Sequence, residues 1–296
     1  MTTTAKAPHE QLSQETIDFY RQAMDLLEEA KVPFLVGGAY AFARYTGIVR
    51  HTKDFDVFVH SRDFERALEA FEKAGYKTER NFPHWLGKAY QGEDFVDVIF
   101  SSGNGIARVD RRWFEHAVEE EVLGRKSLLC PAEEMIWSKS FIMERERFDG
   151  ADVSHLLHSR AEELDWQRLL DRFGEEHWRV LLSHLVLFGY IYPDDADRIP
   201  PWVMDDLLDR VRDDRGSQGP ERRLCRGTIL SRSQYLLDVE EGGYRDARLE
   251  PLGLMSAEEI EIWTEAARRD AEMRELQEKK VAGTPTEEAE REVAAS

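Results

Sequence analysis

"FLVGGAYAFARYTGIVRHTKDFDVFV", residues 34–59, sets a short apolar run against two glycines, crosses a segment of small and aromatic residues, and returns as an alternating strand with two carboxylates. The periodicity dictates most of the local structure. "PFLVGG" reads as a buried strand halted by glycine, and "AYAFARYTG" as a helix ending at Gly47, a residue type suited to the left-handed position after a helix. In "DFDVFVH" the residues Phe55, Val57 and Val59 fall on one face and Asp54, Asp56 and Phe58 on the other, the period of two expected of a half-buried strand.

Working outward, "QLSQETIDFYRQAMDLLEEAK" spaces Ile17, Tyr20, Met24 and Leu27 three and four apart and predicts an amphipathic helix. "RDFERALEAFEKAGY" predicts a second helix closed by Gly75. "HWLGKAYQG" and "DFVDVIFSS" predict two strands joined by a turn at "QGED". From Pro131 onward strand signals thin out. "PAEEMIWSKSFIMERERF", with proline at the favoured first position, "ADVSHLLHSRAEEL", "DWQRLLDRFG", "EHWRVLLSHLVLFGYIY" and "PWVMDDLLDRVRDD" all read as helical. "RGSQGPERR" reads as a loop, and "SAEEIEIWTEAARRDAEMRELQEKK" as a solvated terminal helix. The expected organisation is an α+β domain over 1–130, a helical domain over 131–255, and a terminal helix with an acidic, disordered tail over 256–296.

Composition bounds the function. The 296 residues carry a formal net charge of −19, which works against non-specific DNA binding, because such proteins present a basic face to phosphate. No apolar run approaches the length of a membrane span, and "MTTTAKAPHE" lacks the pattern of a secretory leader, so a cytoplasmic protein is expected. Cys130 and Cys225 lie too far apart to suggest a disulfide framework or a zinc knuckle.

Asp54 and Asp56, two apart on a strand, project from one face about 7 Å apart. Like charges held so close repel unless a cation lies between them, and Mg²⁺ takes carboxylate oxygens together with substrate phosphates. Asp97 sits in "DFVDVIF" with the same apolar alternation, and would join the pair if its strand lies alongside; Asp94 is its rival. Gly37 and Gly38, between strand and helix, allow a ligand close to the backbone at a helix start, where free N–H groups favour phosphate. The bland reading of the pair is a solvated edge strand. Against it stands the order of strand, Gly-Gly, helix, Asp-x-Asp strand and later aspartate.

That order resembles the DNA polymerase β-like nucleotidyltransferase superfamily, in "FLVGG", "DFDVFV" and "FVDVIF"; "RHTKDFDVFV" is similar to the lead-in of its minimal bacterial branch, which includes antibiotic- and toxin-type nucleotidyltransferases. The resemblance spans about residues 30 to 145. It implies an α+β fold with a small mixed sheet flanked by helices, followed by a helical C-terminal domain. It further implies a Mg²⁺-dependent transfer of a nucleoside monophosphate from NTP, with release of pyrophosphate. Asp54 and Asp56 would bind two Mg²⁺ ions, Asp97 would complete one metal site and assist deprotonation of the acceptor, and Gly37 and Gly38 would hold the phosphates. Arg50 and Lys53 flank the metal strand and could neutralise the triphosphate. Lys139 could reach a nucleotide across a cleft, or simply snorkel at a helix edge. The acceptor could be a small molecule, a protein side chain or an RNA end. The rival reading is a non-catalytic nucleotide-binding or regulatory module, such as half of a toxin–antitoxin pair. Asp152, His155 and His158 in "DVSHLLH" step by three and drift around a helix, so surface histidines are expected there rather than a metal site. The tryptophans at 113, 137, 166, 178 and 202 are expected in core or interdomain packing rather than as a base-stacking platform.

Overall fold

The computed structural model describes residues 12–50, 52, 54–213, 223–251 and 253–282; Lys53, the loop read at 215–223 up to its last residue, and the tail from 283 lie outside them. Helix α1 (Gln14–Glu29) starts at Ser13, whose hydroxyl accepts from the Thr16 N–H, and buries Phe19, Tyr20, Ala23, Met24 and Leu27. Strand β1 (Phe34–Val36) leads through Gly37 into α2 (Gly38–Thr46), which stops at Gly47 with φ of 70°. Strand β2 (Asp54–Val59) and α3 (Phe64–Lys73) follow. Next come β3 (Lys77–Phe82), β4 (Leu86–Gln91) and β5 (Asp94–Ile99). A short α4 (Arg111–Glu115) precedes β6 (Val118–Val122) and β7 (Arg125–Leu129).

The seven strands form one mixed sheet in the order β3-β4-β5-β2-β1-β7-β6. Strand β2 runs parallel to β5 and antiparallel to β1, and β1 is parallel to β7. The alternation of β2 decides which way it faces. Phe55, Val57 and Val59 are fully buried beside Val96 and Val98 of β5, with Tyr20 of α1 stacked on Phe55 at 4.9 Å. Each such side chain contributes about 1.5–3 kcal/mol through burial, so a one-residue slip, which would turn them to the opposite face, is strongly disfavoured. The aspartates are therefore committed to the other face by their neighbours.

The expected strands β1, β2, β4 and β5 form as read. Three strands went unread, for different reasons. Strand β3, "KTERNF", is almost wholly polar, and β6 with β7, "VEEEV" and "RKSLL", form a charged hairpin at the sheet edge. Charge on an edge strand blocks pairing with other chains while weakening the apolar signal.

Helices dominate the rest, as expected: α5 (Ala132–Lys139), α6 (Gly150–Arg160), α7 (Trp166–Ile191, kinked at Gly174, φ 57°) and α8 (Pro201–Asp213). The short strand β8 (Leu224–Cys225) pairs with β9 (Arg245–Asp246), and α9 (Gly227–Leu230) and α10 (Leu236–Glu240) lie between them, before α11 (Ala257–Ala282). The helix expected from Pro131 to Phe148 stops at Lys139. Beyond it Met143 and Phe148 form a β-bridge closed by Glu144 N–H donating to the Arg147 carbonyl. Glu134, fully buried in α5, takes Arg168 at 2.6 Å and Arg172 at 2.9 Å, and Arg172 continues to Asp110, the N-cap of α4. This ion-pair chain ties the helices to the sheet half. Trp113, Trp137, Trp166 and Trp178 are buried as expected, whereas Trp202 is 48% exposed on α8. Helix α11 is not solvated throughout: Thr264 and Ala267 are buried, and Trp263 lies so close to Gly103 that a Cβ there would meet its ring at 2.3 Å.

Candidate active site

Parallel pairing of β2 and β5 sets Asp56 directly opposite Asp97, on the face that also carries Asp54. All three carboxylates are half-buried. Asp94 lies on the other face and accepts a hydrogen bond from Thr16 Oγ1 at 2.8 Å, so it is a structural partner of α1.

The two glycines are shaped by these neighbours. Gly37 donates its N–H to the Asp56 carbonyl at 3.0 Å, which locks the end of β1 to β2. Gly38 has φ of +53°, and a Cβ there would lie 1.7 Å from Asp56 Oδ2. Only glycine lets the first turn of α2 rest against the carboxylate.

Electrostatics separates the three acids. Burial, then Asp97 and Asp54, push Asp56 up from an ordinary 3.8 to about 7, with Lys139 and Lys88 opposing the rise. Burial also raises Asp97, opposed by Lys88. Among the described residues neither Asp54 nor Asp56 has an ion-pair partner, while Asp97 contacts Lys88 at 2.7 Å. Two adjacent carboxylates without a counter-ion are costly in isolation and suit a hard divalent cation, which needs one or two carboxylates and completes its shell with water and phosphate. Among the described residues no group of three or more His, Cys, Asp or Glu is gathered as a ready-made cage. The donor set fits an open Mg²⁺ seat at Asp54 and Asp56, with Asp97 engaged by lysine.

Of the expected basic groups, Lys139 lines the same cleft as Asp56 and donates to Asp149 Oδ2 at 2.8 Å, with Asp152 Oδ2 also at 2.8 Å. It is therefore a paired group and not a snorkelling one. Arg50 reaches the other oxygen of Asp152 at 2.6 Å and lies over the Phe42 ring at 4.6 Å. It is held by α6 rather than aimed at the aspartates. Asp152 is buried as the hub between Arg50 and Lys139; His155 packs edge-on to Phe42, and His158 lies 3.3 Å from Asp195.

The cleft that begins at Gly38 and Asp56 has a volume of about 670 Å³. One wall is Phe82, Trp85 and Lys88 from the sheet, another Lys139, Phe141 and Arg147, and the far end Arg232 and Trp263. Trp263 stands edge-on to both Phe82 and Trp85, and Arg232 pairs with Glu144 at 2.8 Å. Lys88, Arg147, Arg232 and Trp263 went unread. For Lys88 a signal exists, since the turn at "QGED" fixes Gln91 opposite Asp94, and counting back three pairs sets Lys88 opposite Asp97.

Residues 20–97 match the family model described as aminoglycoside-2''-adenylyltransferase, a span holding both glycines and all three aspartates. The resemblance to the nucleotidyltransferase superfamily is borne out over that segment. A comparison with curated proteins gives no match. Solved structures that resemble the chain include the antibiotic-resistance factor ANT(2'')-Ia, 13% identical with TM-score 0.39, covering 62% of this chain and 96% of that one. The lincosamide antibiotic adenylyltransferase LnuA is 18% identical with TM-score 0.35, covering 49% and 96%. An antigenic nucleotidyltransferase-like protein from Paracoccidioides brasiliensis is 13% identical with TM-score 0.41, covering 63% and 93%.

Proposed function

We propose that the protein transfers a nucleoside monophosphate from a nucleoside triphosphate to a hydroxyl of a small-molecule acceptor, releasing pyrophosphate. The observation that carries this reading is the row formed by Asp56 and Asp97 on paired strands, backed by Gly38 at the start of α2. Asp54 and Asp56 would hold Mg²⁺, which when bound supplies charge neutralisation at the phosphates. The start of α2 directs free N–H groups and a positive dipole end toward the phosphates. Asp97, with its carboxyl raised by burial, is the group suited to take the acceptor's proton. Lys139, fixed by Asp149 and Asp152, faces the same cleft and adds positive charge near Asp56.

A small-molecule acceptor is favoured over an RNA end or a protein side chain by two features. The cleft volume falls in the range of small-ligand sites, roughly 300–1,000 Å³. Net acidity works against a polyanionic acceptor. In the far wall the acids Glu144 and Asp149 are both paired with arginine, so a polycation finds no free carboxylate there. ANT(2'')-Ia is known in complex with adenylyl-2''-tobramycin, a precedent for transfer to a small hydroxylated molecule, but the far wall here suits a less cationic, partly apolar acceptor.

A non-catalytic nucleotide-binding role draws on one observation, the lysine already seated on Asp97. Both readings are tested by incubating the protein with each labelled NTP, Mg²⁺ and a panel of hydroxylated small molecules, and measuring pyrophosphate release and label transfer. Transfer that is lost in Asp54→Asn supports the enzyme. NTP binding without transfer to any acceptor, in the panel or in a cell extract, supports the binding module.

A further inference from the structure

Across three adjacent strands the chain sets one row of charged residues: Lys88 on β4 opposite Asp97 on β5, and Asp97 opposite Asp56 on β2. Lys88 Nζ lies 2.7 Å from Asp97 Oδ1 and 3.6 Å from the centre of the Phe95 ring. Phe95 is two residues from Asp97 on the same face, so the ammonium is held between a carboxylate and an aromatic face. Only 20% of the lysine side chain and 13% of the aspartate side chain are exposed, and Lys88 lines the same cleft as Asp56.

Such a pair is neither a surface ion pair nor a sealed one. Its flanking residues Gly87 and Ala89 are buried on the opposite face of the strand, which pins the strand under the lysine. On the other side of Asp97, Asp56 and Asp54 have no counter-ion among the described residues. Among the described residues Lys88 is the cation in direct contact with these carboxylates, Lys139 being held by Asp149 and Asp152, and Lys88 is placed where it competes for Asp97 with any ion that would bridge Asp97 and Asp56.

We propose that Lys88 is a displaceable resident cation: it occupies Asp97 in the ligand-free protein and gives it up when a metal-bound triphosphate enters, turning its ammonium to the polyphosphate. This rests on the nucleotidyltransferase reading of the site. Two consequences run in opposite directions. Without nucleotide, Lys88 weakens metal binding by repulsion and by holding Asp97. With nucleotide, it strengthens binding through a charge-assisted contact to phosphate. A lysine that merely supports the strand would, when removed, weaken both.

The test is Mn²⁺ binding followed by electron paramagnetic resonance, together with calorimetric titration of a nonhydrolysable NTP, on wild type, Lys88→Met, Lys88→Gln and Asp97→Asn. Each variant is checked for folding by circular dichroism. Both Lys88 variants should bind Mn²⁺ alone at least about tenfold more tightly than wild type, a modest share of what one neighbouring charge exerts at close range. Both should bind the metal–NTP complex about tenfold more weakly, the effect of one lost phosphate contact. In a Lys88→Met/Asp97→Asn double variant the gain in Mn²⁺ affinity should fall by at least half on a logarithmic scale, because the freed carboxylate is gone. Unchanged or weaker Mn²⁺ binding in both Lys88 variants overturns the proposal while leaving the nucleotidyltransferase reading intact. Failure of wild type itself to bind any metal–NTP complex defeats both.

Discussion

Replacing Asp56 by asparagine should stabilise the metal-free protein above neutral pH, although it removes a residue proposed to hold the metal. The carboxylate accepts no hydrogen bond from the described residues and faces Asp97 and Asp54, so it loses little that asparagine must replace. Held at about 7 in the fold and near 3.8 when unfolded, it keeps its proton in the native state across an interval where the unfolded chain has released it. The native state binds more protons there, so stability falls as pH rises from about 4 to about 7 and stays low above. The full interval corresponds to roughly 4 kcal/mol, an upper bound because the neighbouring acids relax when one charge is removed. Asp56→Asn should therefore match wild type near pH 4 and exceed it by about 2–4 kcal/mol at pH 8. The assay is urea denaturation in a chelator at half-unit pH steps. Addition of Mg²⁺ and a nonhydrolysable NTP should narrow the gap, raising wild type by about 2.7 kcal/mol at a hundredfold excess over the dissociation constant while the variant stays where it was. A variant no more stable than wild type at pH 8, or a difference that does not change with pH, would refute the electrostatic account of this site.

Asp97→Asn should keep most of the NTP affinity and lose at least about a hundredfold in transfer, the lower range for proton-transfer catalysis, measured as pyrophosphate release. Gly38→Ala, which adds a carbon 1.7 Å from Asp56 Oδ2 at a φ of +53°, should cost about 1–3 kcal/mol in thermal unfolding and abolish the stabilisation by Mg²⁺ and NTP. Glu134→Gln removes the fully buried carboxylate shared by Arg168 and Arg172, which keep Glu133 and Asp110, and should cost about 1–3 kcal/mol at any pH between 6 and 8, measured by denaturant titration.

Much of the site is legible in the sequence because period-two alternation couples chemistry to burial. Once Phe55, Val57 and Val59 must face the core, Asp54 and Asp56 have one remaining direction, and the same holds for Asp97 between Val96 and Val98. The Gly-Gly pair is legible for a related reason, since nothing but a close approach asks for two glycines between a buried strand and a helix. The hairpin register that seats Lys88 on Asp97 is also written in the turn, although it has to be counted rather than recognised. What no local pattern carries is the pairing of Lys139 with Asp149 and Asp152, or of Arg50 with Asp152, because these join segments whose relative placement is set by packing alone. The early stop of α5 belongs here too: "SFIMERERF" has good helix formers, but the Arg147–Asp149 pair and the Met143–Phe148 bridge hold it in a turn. Polar edge strands such as β3 and β6 gain their structure from neighbours, and their composition does not announce it.

The span that matches the family ends at residue 97, yet the cleft does not. Its second wall is carried by α5 and the turn after it, through Lys139, Phe141 and Arg147, and its far end by Arg232 and Trp263. Lys139, which lines the cleft with Asp56, is held by two carboxylates from the start of α6, and α5 is itself fixed by Glu134 to α7. The charge around Asp56 is thus set by the matched segment together with Lys139, and the far end of the cleft is shaped by residues beyond that segment. Under the proposed reading the chemistry of transfer belongs to the segment that matches the family model. On the same reading the choice of acceptor falls to both parts of the chain, since Phe82 and Trp85 come from the matched segment and Phe141 and Trp263 from beyond it.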